Sequence, residues 1–283
     1  MFHFIVNPNA GRNDKAKYKQ LIRLIKSNKE HAIWETTEPL EAVSFAKKAV
    51  AEGATRIIAV GGDGTINEVA SVLVGSDIPL GIIPFGSGNG LARHLHLPLD
   101  FTKAYQKAIE GTVQNIDTCS FNGRAFFCTA GIGFDASVAH QFAAGSGRGL
   151  VNYIKATIAT LFRYQPITIS INDGPEEQVY SLTIANANQF GNNAFISPFS
   201  NIQDGVFEIT KIKKINLWEA AIIGIRLFNK TIHKVSKVNI YSEKNIKINY
   251  GKNHPMHLDG ENIFSDASDL VFTIKPNSLK VIV

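Results

Sequence analysis

Over the first 110 residues the apolar positions alternate between two patterns. Short unbroken apolar runs at residues 2–6, 32–35, 56–60 and 80–83 predict strands, and helical spacing fills 15–27, 40–51 and 66–74, with a further stretch opening at Leu91. Strands alternating with helices of this length predict βαβ units around a parallel sheet. Beyond about Asn115 the pattern changes. Phe121-Asn122-Gly123-Arg124 reads as a hairpin turn between 115–120 and 125–129, and Asn172-Asp173-Gly174-Pro175 reads as another. Strands are expected at 167–171, 179–187, 206–212, 235–241, 245–250, 270–274 and 279–283, with helices at 150–162 and 217–228. The second part is therefore mainly antiparallel β.

At 283 residues the chain exceeds one average domain. It is 45% hydrophobic and 19% charged, and no window is long and uncharged enough to cross a bilayer. The first residues carry no signal pattern and already read as a strand. Cys119 and Cys128 give neither a disulfide framework nor a zinc spacing, so a reducing cytoplasm is expected and the Asn229-Lys230-Thr231 sequon carries no meaning.

The net charge of +5 is unevenly spread. Between Lys211 and Lys252, ten Lys/Arg stand against Glu219 and Glu243, a surplus of +8 that leaves −3 for the rest. Such a surface suits an anionic membrane, nucleic acid or plain solubility. The aromatic interleaving and repeats of nucleic-acid binders are missing, so nucleic acid is set aside.

The chemistry centres on Gly61-Gly62-Asp63-Gly64-Thr65-Ile66-Asn67-Glu68, behind one apolar run and ahead of Val69-Ala70-Ser71-Val72-Leu73. Three glycines in four residues leave a tight strand-to-helix turn without Cβ atoms, so backbone N–H groups can close on a phosphate at the positive end of the helix. Asp63 is the only charged side chain in the turn, and it reads as a Mg2+-linked or general-base carboxylate. The plainer alternative is a capping box, Thr65-x-x-Glu68. Gly86-Ser87-Gly88-Asn89-Gly90 is a second glycine turn opening a helix, with Ser87 and Asn89 able to donate to phosphate oxygens. These turns, with Asn7-Pro8 and Thr36-Thr37, all follow strands, where open α/β sheets bind ligands.

Three acidic spots mark the second part. Asp135 follows Gly131-Ile132-Gly133 at a strand-to-helix change. Asp204-Gly205 opens a strand and is also an ordinary turn. Asp259-Gly260-Glu261 puts two carboxylates around a glycine, a spacing for proton transfer beside a metal or nucleotide, or simply a β-turn. His254-x-x-His257-x-Asp259 invites a metal site, against which Pro255 and the lack of further ligands argue.

Taken in order, Asn7-Pro8, Gly61-Gly62-Asp63-Gly64-Thr65-x-Asn67-Glu68, Pro84-x-Gly86-Ser87-Gly88-Asn89, Gly131-x-Gly133-x-Asp135-Ala136 and Asp259-Gly260-Glu261 resemble the diacylglycerol kinase catalytic-domain family, which includes sphingosine kinases and soluble bacterial lipid kinases. The resemblance implies an α/β nucleotide-binding domain followed by an antiparallel β-sandwich domain for the lipid substrate. It places residues 1–118 and 276–283 in the first and 119–275 in the second. It implies transfer of the ATP γ-phosphoryl group, with Mg2+, to a lipid hydroxyl in the interdomain cleft.

On the matched positions, Asn7, Pro8, Thr37, Gly61, Gly62, Asp63, Gly64, Thr65, Glu68, Gly86, Ser87, Gly88 and Asn89 would hold the nucleotide. Arg148 would reach the phosphates. Asp63 and Asp259 are both candidates for deprotonating the hydroxyl, and Glu261 would support nucleotide or metal. Asp204 matches the aspartate of a structural Mg2+ site, and Asp135 the acidic position facing a substrate amino group. Gly90 stands where bacterial diacylglycerol kinases carry Asp, and this departure leans the expectation toward a sphingoid-like acceptor over diacylglycerol. The alternatives are an NAD kinase-like enzyme with a soluble substrate and a nucleotide-binding regulator of weak activity.

A lipid substrate gives the basic segment a role. The apolar stretch 217–228, with Trp218, lies among Lys211, Lys213, Lys214, Lys230 and Lys234, and it is expected either to dock transiently on anionic membrane or to pack as a helix on the second domain's sheet. A cytoplasmic, peripherally membrane-associated protein follows, with a homodimer left open.

Overall fold

The computed structural model describes residues 1–10, 15–27, 31–144, 150–161, 164–251 and 254–283. The chain forms two compact units, Met1–Ile116 with Asn277–Val283, and Asp117–Pro276.

The first unit runs β1 (Phe2–Val6), α1 (Lys15–Lys26), β2 (His31–Glu35), α2 (Glu41–Ala51), β3 (Arg56–Gly61), α3 (Asp63–Leu73), β4 (Leu80–Pro84), α4 (Gly90–His94) and α5 (Phe101–Glu110), and leaves along β5 (Val113–Phe121). Its strands lie in the order β2-β1-β3-β4, all parallel. β3 and β4 are buried along nearly their whole length because helices cover both faces, which is why their sequences are unbroken apolar runs. Leu21 and Ile25 of α1 and Ala104 and Ala108 of α5 pack with Phe4, Ile58 and Ile83.

Two helix boundaries differ from expectation. α3 starts at Asp63 rather than Ile66, because Gly62 takes the N-cap position. The stretch from Leu91 is two helices. α4 stops before His96, which is left-handed (φ 55°), and Pro98 follows; α5 then starts afresh, with Asp100 accepting from the Lys103 N–H at 3.0 Å.

The second unit continues through β6 (Arg124–Phe126), β7 (Thr129–Gly133), α6 (Phe134–Ala144), α7 (Leu150–Leu161), β8 (Ile167–Ile171), β9 (Glu176–Val179), β10 (Ser181–Ala185), β11 (Phe207–Ile212), α8 (Leu217–Phe228), β12 (Val238–Glu243), β13 (Asn245–Asn249), β14 (His254–Leu258), β15 (Glu261–Ser265) and β16 (Asp269–Ile282). One antiparallel sheet has the order β12-β11-β10-β7-β14-β15, and β9, β8, β13 and β16 form a second run. Ile132, Ile184, Ile209, Met256, Ile248 and Phe272 from both runs meet in one core, the packing of a β-sandwich.

The stretch 179–187 is broken at Tyr180, so β9 and β10 belong to different sheets. The strands expected at 270–274 and 279–283 are one strand, β16, whose last residues join the first unit beside β4 through Val281 and Leu80.

That return strand is part of the first unit's core, since Leu279 and Val281 are fully buried. Leu279→Ala should destabilise the protein by about 2–5 kcal/mol. Urea unfolding followed by far-ultraviolet circular dichroism checks this.

Candidate active site

β3 ends at Gly61, and Gly62 takes the N-cap of α3 in an extended conformation (φ −88°, ψ −173°), where it has no side chain to accept from the helix start. The first-turn N–H groups of a helix have no partners within it, and the dipole makes that end positive. The capping-box alternative is overturned. Because the helix begins two residues before Thr65, that residue lies inside the first turn, where its Oγ1 accepts from Asn7 Nδ2 at 3.1 Å. Glu68 Oε1 accepts instead from the Leu40 N–H at 3.3 Å.

The second glycine turn folds on itself through Asn89. Its Oδ1 accepts from the Gly86 N–H at 3.0 Å, and its Nδ2 donates to the Gly86 carbonyl at 2.9 Å. Asp63 joins the two turns: Oδ2 accepts from the Asn89 N–H at 2.8 Å and Oδ1 from the Gly90 N–H at 2.7 Å. The turns also touch backbone to backbone, so a Cβ on Gly86 would stand 2.6 Å from the Gly62 Cα. Asn89 thus spends its amide inside the turn, while Ser87 is exposed. Asn7 Oδ1 accepts from the Asn9 N–H at 2.9 Å, which holds the segment after β1, Pro8 included, beside Thr65. Thr37 lies in the segment between β2 and α2, where its N–H donates to Glu41 Oε2 at 2.6 Å and holds that carboxyl below its ordinary value.

In the second unit, Asp259 (φ 50°) and Gly260 (φ 82°) form the hairpin turn between β14 and β15, as the β-turn alternative anticipated. The Asp259 carboxylate does more than turn the chain. It accepts from the N–H groups of Phe127, Cys128 and Thr129 at 2.8, 2.7 and 3.0 Å. Glu261 pairs with Arg124 at 2.9 Å.

Asp135, at the start of α6, is buried. Its Oδ2 accepts from Thr183 Oγ1 at 2.7 Å and lies 3.4 Å from His257 Nε2. Gly131 makes room for them, since a Cβ there would lie 2.1 Å from Asp135 Oδ2 and 2.4 Å from His257 Nε2. Burial, and then the Asp135 charge, push the Tyr250 hydroxyl well above its ordinary pKa. Sequence reasoning missed Thr183 and Arg124 altogether. It weighed His257 only as a metal ligand, yet His254 stacks on Tyr250 while His257 is buried against Asp135. Among the described residues no group of three or more His, Cys, Asp or Glu is placed to hold a metal ion.

Asp204 accepts from the Val206 N–H at 3.1 Å, and Asp117 accepts from the intervening Gly205 N–H at 2.7 Å. Burial raises the pKa of nearby Glu208, which Ser197 and Ser200 partly offset by donating to it. Arg148 lies outside the described residues.

An uncapped helix start beside a second turn locked to it fits a nucleotide's phosphates: the first-turn amides of α3 are donors that nothing in the helix uses. Gly86→Ala should push the turns apart, destabilising the protein and weakening ATP binding at least about tenfold, about 1.4 kcal/mol. Calorimetric titration with ATP beside a melting curve checks both.

The domain patterns agree with this geometry. Residues 1–121 match the family model described as the diacylglycerol kinase catalytic domain, and residues 128–283 match the YegS C-terminal NAD kinase beta sandwich-like domain. The chain is similar to the diacylglycerol kinase of Bacillus subtilis (strain 168), with 30% identity over 268 residues, 91% of this chain and 88% of the relative. It is similar to that of Staphylococcus carnosus (strain TM300) at 27% over 269 residues, 91% and 87% of the two chains. In fold it matches the crystal structure of a diacylglycerol kinase from Bacillus anthracis str. Sterne, with a TM-score of 0.72 at 20% identity over 99% of this chain and 96% of the other. With both halves matched in sequence and the fold matched throughout, the chain belongs to the diacylglycerol kinase catalytic-domain family of lipid kinases.

Proposed function

We propose that this protein transfers the γ-phosphoryl group of ATP, with Mg2+, to the hydroxyl of a diacylglycerol-class lipid. The observation that carries this reading is the pair of glycine turns fastened by Asp63 at the uncapped start of α3. ATP, when bound, supplies the transferable phosphoryl group. The α3 first-turn N–H groups and Ser87 donate to its phosphates, and the Asn7–Thr65 pair fixes the wall beside them. Mg2+, when bound, would neutralise charge on the nucleotide's phosphates, and binding of this kind uses those phosphates with one or two carboxylates rather than an all-protein cage. Asp204, whose carboxylate accepts from the Val206 N–H, is the position at which the family resemblance puts a structural cation.

We assign the acceptor's proton to Asp259, with Glu261 held beside it by Arg124. Asp63 acts by position, because removing its charge releases Asn89 and Gly90. The relatives' names favour diacylglycerol over a sphingoid base, and two observations lessen the sphingoid argument. Gly90 contributes its backbone N–H, which an aspartate at the same place also supplies, and Asp135 already serves Thr183 and His257.

Radiolabelled phosphate transfer from ATP to a panel of diacylglycerol, monoacylglycerol, ceramide, sphingosine, undecaprenol and NAD tests this directly. Label on diacylglycerol is expected; label on NAD alone, or none with ATP still bound, overturns it. Gly64→Asp is the sharpest control. A carboxylate in the first turn favours the helix but repels phosphate, so thermal stability should hold while ATP affinity falls at least about tenfold. Asp259→Asn should lower turnover by about 10²–10⁴-fold and leave ATP affinity near its original value, measured by steady-state kinetics and calorimetry.

A further inference from the structure

α8 turns its more apolar side away from the protein. It stands on the second unit through Ile223 and half-buried Leu227, which join Tyr180, Ile196, Ile212 and Ile232 in a small core. The other side carries Trp218, Ile222, Ile225 and Phe228 at helical spacing, exposed by 80%, 47%, 63% and 42%. Leu217 is exposed as well, so five large apolar side chains of a twelve-residue helix face outward. Surfaces of this kind mark interaction sites.

The charges around the helix identify the partner. Glu219 is its only acidic residue, and its carboxylate is folded back to accept from the Asn216 N–H at 2.8 Å while Asn216 accepts from the Glu219 N–H at 2.9 Å. That capping box anchors the one negative charge at the helix start. The flanks are cationic: Lys213 and Lys214 before the helix, Arg226 within it, Lys230 and Lys234 after it, with the four lysines exposed. A two-fold contact through this face would bring those lysines toward their own copies, which disfavours a second copy of the chain. Nor is α8 a span: among the described residues no helix is long and apolar enough to cross a membrane.

We propose that α8 is a docking helix for an anionic lipid bilayer, lying in the plane of the interface with Trp218, Ile222, Ile225 and Phe228 in the upper acyl region and the flanking lysines at the headgroup phosphates. The proposal rests on the lipid-kinase reading only in supplying the reason for docking, since the acceptor lipid resides in the same bilayer.

The test uses the full chain with vesicles that contain neither acceptor lipid nor ATP. Flotation is measured with phosphatidylcholine vesicles and with vesicles in which part of that lipid is replaced by phosphatidylglycerol. Binding to the anionic vesicles alone, weakened by added salt, is expected. In a Trp34→Phe background Trp218 is the sole tryptophan, and its emission should move to shorter wavelength on those vesicles.

Ile222→Glu with Ile225→Glu should leave the melting temperature in place, because both side chains are exposed, and should reduce vesicle binding by about tenfold or more. Equal binding to neutral vesicles, or unaltered binding by the double variant, overturns the proposal. So does a dimer in light scattering that the double variant dissociates, which would give the face to a second copy. Turnover on a short-chain diacylglycerol dissolved in water separates the two readings. If the double variant keeps that turnover while losing vesicle binding, docking is supported as a function distinct from catalysis. If neither protein turns over while the original chain binds the anionic vesicles and the double variant does not, the kinase reading falls and the docking helix stands.

Discussion

The first unit depends on one carboxylate. Asp63 sits at the start of α3 and accepts two successive backbone N–H groups, Asn89 and Gly90, from a turn that begins after the next strand. Each is a charge-assisted hydrogen bond, roughly twice as strong as a neutral one. The glycines follow from that attachment, since the backbones come so close that Gly86 has no room for a Cβ toward Gly62, and one on Gly62 would be tight against Gly86. With Gly62 at the N-cap of α3, the result is a backbone surface rich in donors. Catalysis of phosphoryl transfer consists largely of such positioning.

The second unit uses acidic residues in a similar way. Asp259 gathers three backbone N–H groups at a hairpin tip, and Asp135 is buried with Thr183 and His257 behind a glycine that leaves them space. Buried polar groups of this kind are costly unless satisfied and rigid once they are. Residues that read as chemistry in the sequence are therefore also parts of the frame.

The α/β first half was legible because β3 and β4 are buried on both faces and leave continuous apolar runs, and the antiparallel half because its turns carry Asn-Gly and Asp-Gly. What escaped was set by distant contacts. The start of α3 runs through Asp-Gly-Thr, poor helix formers that α3 keeps through its packing, and local propensity cannot see this. The hairpin of β14 and β15 was hidden because His254, Pro255, His257 and Asn262 interrupt its alternation. Asp63 finds its partners 26 and 27 residues away, and Asp135 meets Thr183 and His257 at separations of 48 and 122, where no local pattern points.

On the proposed function, the amides at the head of α3 receive the phosphates of a nucleotide. Amide nuclear magnetic resonance of the labelled protein titrated with ATP tests it most directly. The largest shifts are expected on Gly62, Gly64 and Thr65, with smaller ones at Ser87 and Gly88. Saturable ATP binding that leaves these amides unmoved would contradict it.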